Sequence, residues 1–183
     1  MPVTGNILAL DLGVNCGFAV GRPGDVPTSG SVRLKKASEP RDAATFNLRG
    51  FLIKQITENR PSLIVKEAML HVGAFQSLKI SQDVILAHAE YHGEVKTTCY
   101  AYGIPWEDAP NATVRKHFIG IGRTSDRAST KAAVISRAKL LGYMPKDSFD
   151  EDRADALAIF DWSCAVFGQR TPQTLHLFGE KTL

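Results

Sequence analysis

Four carboxylates stand where the sequence predicts the buried interior of a fold, and they constrain that fold more than any other feature. Asp11 ends one short apolar run and Glu67 ends a second. Asp152 and Asp155 open a segment of helical spacing, residues 152–159, whose apolar character predicts that it packs inward. Like charges brought together in low dielectric raise one another's pKa and strain the fold. Hard divalent cations such as Mg²⁺ prefer carboxylate oxygens, so the sequence predicts one metal site formed by all four acids.

The composition is that of an ordinary globular protein. With 183 residues, of which 44% are hydrophobic, the chain is long enough for one domain with a proper core. We place this domain at residues 1–168, followed by a polar tail at residues 169–183. Three cysteines without ligand-like spacing predict free thiols in a reducing compartment. No apolar run approaches the ~20 residues that a membrane span needs, so we expect a cytoplasmic protein with no membrane partner.

Basic residues are concentrated in one part of the chain. The net charge of +3 is too small to imply a nucleic-acid partner by itself. Between residues 111 and 146, however, eight cations are accompanied by the single acid Asp126. A basic stretch beside an acidic metal site suits a polyanionic substrate such as DNA, held through phosphate contacts that read no sequence. Each of these cations, taken singly, could equally be a solvated surface charge. As a group they predict a DNA-binding surface, and we assign its contacts to Arg115, Lys116, Arg123, Arg127 and Lys131.

The pattern of apolar residues predicts an α/β fold. Strands are predicted at residues 7–11, 17–21, 29–34, 63–67 and 105–109. Helices are predicted at residues 40–59, 74–102, 111–119 with Asn111 as its N-cap, about 126–142 starting at Asp126 or Ser129, and 151–167. The links between the first three strands are short enough to demand antiparallel pairing, whereas a helical crossover makes the fourth strand parallel to the first. The expected fold is a five-stranded mixed sheet flanked by helices.

Three spaced motifs lead to a family resemblance. The first is Asp-x-Gly-x₃-Gly at Asp11, Gly13 and Gly17; the second is Pro-x₅-Glu ending at Glu67; and the third is Asp-x-x-Asp-Ala-Leu-Ala beginning at Asp152. Their order and distances resemble those of the RuvC family of Holliday-junction resolvases, which are ribonuclease-H-like nucleases.

The resemblance extends over about residues 7–166 and has several implications. It implies a ribonuclease-H-like fold and a homodimeric crossover-junction endodeoxyribonuclease, with the helix at residues 74–102 as the interface. Such an enzyme hydrolyses paired phosphodiester bonds and leaves 5′-phosphate and 3′-hydroxyl ends. The implied cofactor is Mg²⁺, for which Mn²⁺ can substitute, with two ions in each active site. The short spacing of the first motif and the run at residues 114–118 are more similar to phage or prophage members, which implies a bacterial cell or a phage-infected host.

The two-ion chemistry gives each acid a role. Asp11 is expected to bridge both ions and Glu67 to hold one side, while the two helical acids close the other. Lys131 and Arg115 match family positions that support the scissile phosphate, and Lys131 is counted with the four acids as catalytic. The two motif glycines lack side chains, which would let a phosphate approach the backbone.

Other residues are interpreted less directly. The family often carries an aromatic side chain a few residues after the glutamate that inserts into the junction, whereas here residues 68–71 contain none and Phe75 comes later. This departure favours a broader activity on flaps or other branched DNA. His88 and His92 are spaced as metal ligands can be, but a polar helix face or a dimer contact is the favoured interpretation. Asp161 is expected to be solvated and not catalytic.

The tail contains a possible docking motif. Residues 173–178 resemble the short sequence by which bacterial replication proteins bind the sliding clamp. Leu175, Leu177 and Phe178 would supply apolar anchors, and Gln173 a hydrogen bond at the rim of the groove. The favoured alternative is that these apolar residues cover the domain's own surface or a dimer partner.

Two other function classes stay open. An actin-like-fold ATPase also begins with an acid followed by glycines at a strand-to-hairpin turn, but it needs a second lobe and a second phosphate loop, for which 183 residues leave no room. A catalytically inactive scaffold that binds branched DNA is the other alternative, and the presence of all four acids argues against it.

Overall fold

The computed structural model describes residues 2–69, 80–122 and 126–168. Arg123, Phe75, the tail segment at residues 173–178 and the N-terminal part of the predicted helix at residues 74–102 lie outside the described residues. The strands are β1 (Ile7–Asp11), β2 (Asn15–Gly21), β3 (Thr28–Arg33), β4 (Leu63–Glu67) and β5 (Trp106–Ala109). The helices are α1 (Arg41–Asn59), α2 (Gln82–Tyr102), α3 (Asn111–Ile119), α4 (Arg127–Leu140) and α5 (Glu151–Phe167).

The five strands form one mixed sheet in the order β3-β2-β1-β4-β5. β1 pairs antiparallel with β2, and β2 pairs antiparallel with β3, as their short links require. β1 and β4 are parallel, and so are β4 and β5. The predicted fold class, an α/β domain with three antiparallel strands followed by parallel ones, is therefore confirmed.

The alternation of side chains along the strands divides the interior into two cores. On β1, Ile7 and Ala9 join the core on one face of the sheet, together with side chains of α3, α4 and α5. Leu8 and Leu10 point to the opposite face, which α1 and α2 cover. Because successive strand residues point to opposite faces, Asp11 follows Ile7 and Ala9 onto the α5 side. The same alternation on β4 directs Glu67 to that side.

Lys66, which precedes Glu67, points to the α1 and α2 side and is only 1% exposed. Its Nζ lies 2.9 Å from Nδ1 of His92 and forms an ion pair with Asp108 of β5. Burial, and then the charge of Lys66, lower the pKa of His92 to about 4. The expectation that His92 belongs to a polar face or a dimer contact is wrong, because this helix position faces the interior and meets a buried lysine.

The last helix, α5, has the most buried residues of the three helices on its face of the sheet. Eight of its residues are buried, among them Leu157, Ile159 and Phe160. It packs against β1 and β2 more extensively than against β3 or β4. Within the described residues, no helix is both long and apolar enough to cross a membrane.

Candidate active site

Asp11 and Glu67 are the last residues of two neighbouring parallel strands. The register pairs Leu10 with Lys66, so the next residue of each strand ends side by side at the same edge of the sheet. The two carboxyl groups are close enough for Glu67 to raise the pKa of Asp11. The sheet therefore brings the two acids together as the sequence predicted.

Burial, and after it the charges of Glu67, Asp155 and Asp152, raise the pKa of Asp11 well above its ordinary value of 3.8. All three other predicted acids thus act on Asp11, which makes it the centre of the group. The repulsion that the sequence predicted is present in the fold.

Asp152 and Asp155 lie in the first turns of α5, whose N-cap is Asp150. Burial raises the pKa of Asp155 to about 6, although Arg115 and Lys131 act in the opposite direction. Burial also raises the pKa of Asp152, and Lys131 again opposes the shift. These two acids face the strand ends because the apolar face of α5 is buried against β1 and β2.

A cavity of about 30 Å³ lies between the strand ends and the helices. Three of the four acids, Asp11, Glu67 and Asp155, line it, and Arg115 and Asn111 of α3 close its other side. This volume holds one or two water-sized species. Among residues 2–69, 80–122 and 126–168, no three Asp, Glu, His or Cys side chains form a ready metal-binding group. Asp11, Glu67 and Asp155 thus surround a common space.

The structure brings two of the predicted DNA-contacting cations to the acids. Arg115 lines the cavity, and Lys131 of α4 forms an ion pair with Glu151 at the start of α5. Both lower the pKa of Asp155, so their charges act on the site. Lys116 and Arg127 are exposed on α3 and at the start of α4, where their DNA role stays a prediction.

The motif glycines have a structural reason that differs from the expected one. A side chain at Gly17 would overlap the backbone carbonyl of Asp152, so α5 can pack against β2 only where β2 has no Cβ. At Gly13 a Cβ would lie 3.1 Å from the carbonyl oxygen of Asn15, which is tight but not prohibitive. The expectation that both glycines admit a phosphate is therefore replaced at Gly17 by a helix contact that positions Asp152.

Two asparagines that the sequence did not assign to the site contact its acids. The amide of Asn111 donates a hydrogen bond to Oε1 of Glu67. The side chain of Asn15 lowers the pKa of Asp152, although burial raises it more. Asn111 was expected to cap α3, but Pro110 occupies the N-cap position without a side-chain bond. The only signals in the sequence were that Asn15 lies within the first motif and that Asn111 follows the last strand.

Asp161 is not solvated as expected. It is half-buried, and its two carboxylate oxygens contact different partners: His117 Nε2 at 2.9 Å and the hydroxyl of Tyr143 at 3.1 Å. These contacts join α3 and the segment after α4 to α5. The spacing of residues within one helix could not show that two other elements cover Asp161.

Comparison with solved structures identifies the fold. The chain is similar to Thermus thermophilus RuvC in complex with a Holliday junction substrate, with a TM-score of 0.67, 16% identity, and 89% of this chain and 93% of that chain covered. A second Thermus thermophilus RuvC structure has a TM-score of 0.63 and 17% identity, with 85% and 90% covered. The yeast mitochondrial Holliday junction resolvase Ydc2 has a TM-score of 0.62 and 12% identity, with 90% and 79% covered.

No protein-family model and no curated protein matches the chain. The similarity is thus detected in the structure and not in the sequence. For the first of these structures it extends over nearly the whole length of both chains. As the three sequence motifs predicted, this chain has the ribonuclease-H-like fold of the RuvC-type Holliday junction resolvases.

Proposed function

We propose that this protein is a metal-dependent, structure-specific endodeoxyribonuclease that resolves Holliday junctions or other branched DNA. The observation that carries the proposal is the meeting of Asp11, Glu67 and Asp155 around one cavity, with Arg115 beside them. The fold shared with resolvases, one of them solved with a Holliday junction substrate, supports this substrate class. Because its proposed substrate is DNA, we expect the protein to act in the cytoplasm of a bacterial cell or a phage-infected host.

The chemistry of the donor set fits Mg²⁺, with Mn²⁺ as a substitute. All four side chains offer carboxylate oxygens, which hard cations prefer. Burial, and after it the charge of neighbouring acids, raise the pKa values of Asp11 and Asp155, and a bound cation would offset this cost. Asp11, Glu67, Asp152 and Asp155 would hold two ions. When bound, such ions lower the pKa of an attacking water and stabilise the charge that develops on the phosphate.

The remaining roles belong to the basic side chains. Arg115 lies at the cavity and can donate to the oxygens of a scissile phosphate in a bidentate manner. Lys131 can exchange its partner Glu151 for a phosphate, which gives it a role in the rate of cleavage. By analogy with the family, the cut leaves 5′-phosphate and 3′-hydroxyl ends.

We also propose a homodimer, because resolving a four-way junction needs paired nicks in two strands. The outward face of α2 supports this proposal. Leu86, Ala89, Gly93 and Tyr100 recur at helical spacing along one exposed stripe, and Tyr100 is 91% exposed. Small residues in the middle of the stripe would let a second helix approach closely.

The decisive experiment is cleavage of a synthetic four-way junction with and without Mg²⁺. We expect paired nicks that need the metal and that disappear in Asp11→Asn, because this variant removes one unit of charge from the centre of the acids. Junction binding should persist in the variant. Asp25→Asn, an exposed acid in a turn of the β2–β3 hairpin, is the matched control and should cut normally.

The outcomes separate the alternatives. Near-normal nicking by Asp11→Asn under Mg²⁺ would rule out the proposed site. Tight junction binding without any cleavage by the wild type would favour the inactive scaffold.

A further inference from the structure

Two asparagine side chains act on two of the four acids. Asn111 donates to Oε1 of Glu67 across 44 positions of sequence, and it lines the same cavity as that acid. Asn15 stands two residues before Gly17, which meets the backbone of Asp152, and it lowers the pKa of that acid. The asparagines thus serve the acid at the end of β4 and the acid at the start of α5.

The backbone delivers both amides to these places. Glu67 pairs with Ala109 at the end of β5, and the amide N–H of Ala68 donates to the Ala109 carbonyl at 2.9 Å. The chain then turns through Pro110 into α3, so that Asn111 arrives beside Glu67. Because Pro110 takes the N-cap position, the Asn111 amide is not used to cap the helix.

Asn15 lies at the same end of the sheet as Asp11, because β2 runs antiparallel to β1 and begins where β1 ends. It is the first residue of β2, two positions before Gly17. The close contact between Gly17 and the backbone of Asp152 brings the start of α5 against this strand. The glycine contact therefore brings Asp152 close to Asn15.

An asparagine amide is well suited to orienting a metal-binding carboxylate. It donates to one oxygen and leaves the other oxygen free for a ligand. It is neutral, so it does not add a positive charge that would repel a cation, as a lysine or arginine in the same place would. Partners of this kind commonly fix the orientation of metal-binding side chains.

We propose that Asn111 and Asn15 are positioning residues that orient Glu67 and Asp152 toward a divalent cation. This inference rests on the proposed function, since it assumes that these acids bind metal. It goes beyond that function by assigning the support of the site to two residues outside the four acids.

The test measures Mn²⁺ binding by calorimetry in the absence of DNA, with Asn111→Ala and Asn15→Ala. Each variant should bind Mn²⁺ about 10- to 100-fold more weakly, the range seen when such supporting partners are removed. The metal concentration for half-maximal nicking should rise by a similar factor, while the rate at saturating metal recovers to near the wild-type value. Binding of the junction in Ca²⁺ should stay unchanged.

Asn47→Ala is the matched control. Its amide donates to the carbonyl of Leu34 at 2.6 Å, so the variant also loses one asparagine hydrogen bond, but on α1, across the sheet from the acids. It should bind Mn²⁺ as the wild type does. Thermal unfolding in chelator reports whether any of the three variants has lost its fold.

Two unfavourable outcomes are distinguishable. If the wild type binds Mn²⁺ and cuts junctions but both asparagine variants keep wild-type affinity and metal dependence, the positioning role is overturned and the nuclease assignment stands. If the folded wild type neither binds Mn²⁺ nor cuts, both proposals are overturned.

Discussion

Among single residues, Asp155 has the most clearly defined electrostatic cost. Burial raises its pKa from 3.8 to about 6, and Arg115 and Lys131 only partly oppose this. Such a carboxyl binds a proton more tightly in the folded protein than in the unfolded chain. Between about pH 4 and pH 6 the folded state therefore holds more protons, and the free energy of unfolding contributed by this group falls as the pH rises.

We expect Asp155→Asn to be more stable than the wild type above pH 6 in the presence of chelator. The advantage should be about 2 kcal/mol, discounted for the partial exposure of the group, and should shrink as the pH falls toward 4. Urea unfolding of both proteins at pH 4, 5, 6 and 7 measures it. Taking the difference cancels the opposite contribution of His92, whose pKa is lowered.

Adding Mg²⁺ supplies the companion measurement. It should stabilise the wild type at pH 7 and leave Asp155→Asn nearly unchanged, because a ligand stabilises only the state that binds it. A stability difference that is the same at pH 4 and pH 7 would contradict the assigned pKa.

At this scale the sequence predicted the acids better than their neighbours. Asp11 and Glu67 could be placed because each ends an apolar strand, so the alternation of the strand fixes which face they join. Asn111 and Asp161 could not be assigned, because Asn111 meets Glu67 and Asp161 meets His117, each pair separated by 44 positions in the sequence. Only the packing of α3 against the sheet and α5 brings those partners together.

Among the elements, α5 is held by a contact between two backbones. Gly17 of β2 meets the carbonyl of Asp152 with no room for a Cβ. The position of the helical acids therefore depends on the absence of one side chain in a strand. The first motif contains Gly17, but the sequence did not indicate its partner, because Asp152 lies 135 positions further along the chain.

Gly17→Ala should lower the free energy of unfolding by about 2–3 kcal/mol, since the added methyl group meets rigid backbone. It should also abolish nicking by displacing the acids of α5. Gly50→Ala is the control, because a Cβ at this exposed position of α1 meets nothing within 4 Å. That variant should be slightly more stable, as alanine is the better helix former.

Chemical denaturation measures the stability of the two variants, and a junction-cleavage assay measures their nicking rates. If Gly17→Ala matches the wild type in both stability and rate, the helix contact is not what requires glycine there.

The helices α3 and α4 carry the proposed DNA track. Lys116→Ala and Arg127→Ala should each weaken junction binding, whatever the sequence, and flatten the plot of log affinity against log salt concentration by about one unit of slope. Lys54→Ala removes an exposed cation from α1, which lies across the sheet, and should leave the slope unchanged. Fluorescence anisotropy over a range of salt concentrations gives the slopes, and wild-type slopes in both track variants would move the track elsewhere.

For the whole molecule, the strand order and layering followed from short links and one helical crossover. Rules of connection allow few alternatives once those elements are placed. The assembly of two copies does not follow from such rules, because it depends on which exposed surface a second chain covers.

We expect a dimer at micromolar concentration that dissociates in Gly93→Glu. A charge in the middle of the exposed α2 stripe would be buried without a partner in the dimer. In the monomer a Cβ at Gly93 meets nothing within 4 Å, so the variant should fold at least as stably as the wild type. Gly50→Glu makes the same change on α1 and should stay dimeric. Sedimentation velocity distinguishes the states, and a monomeric wild type would refute the interface.

The contact between Gly17 and α5 also bears on how distant chains of this fold can be recognised. A close contact between backbones restricts the side chain at one position only and leaves most other side chains free to vary. This is compatible with the 16% identity and the TM-score of 0.67 found for Thermus thermophilus RuvC. A search that demands a strand-ending acid, a glycine six residues after it, and a pair of acids three residues apart at the start of a late helix should therefore find relatives that overall similarity misses.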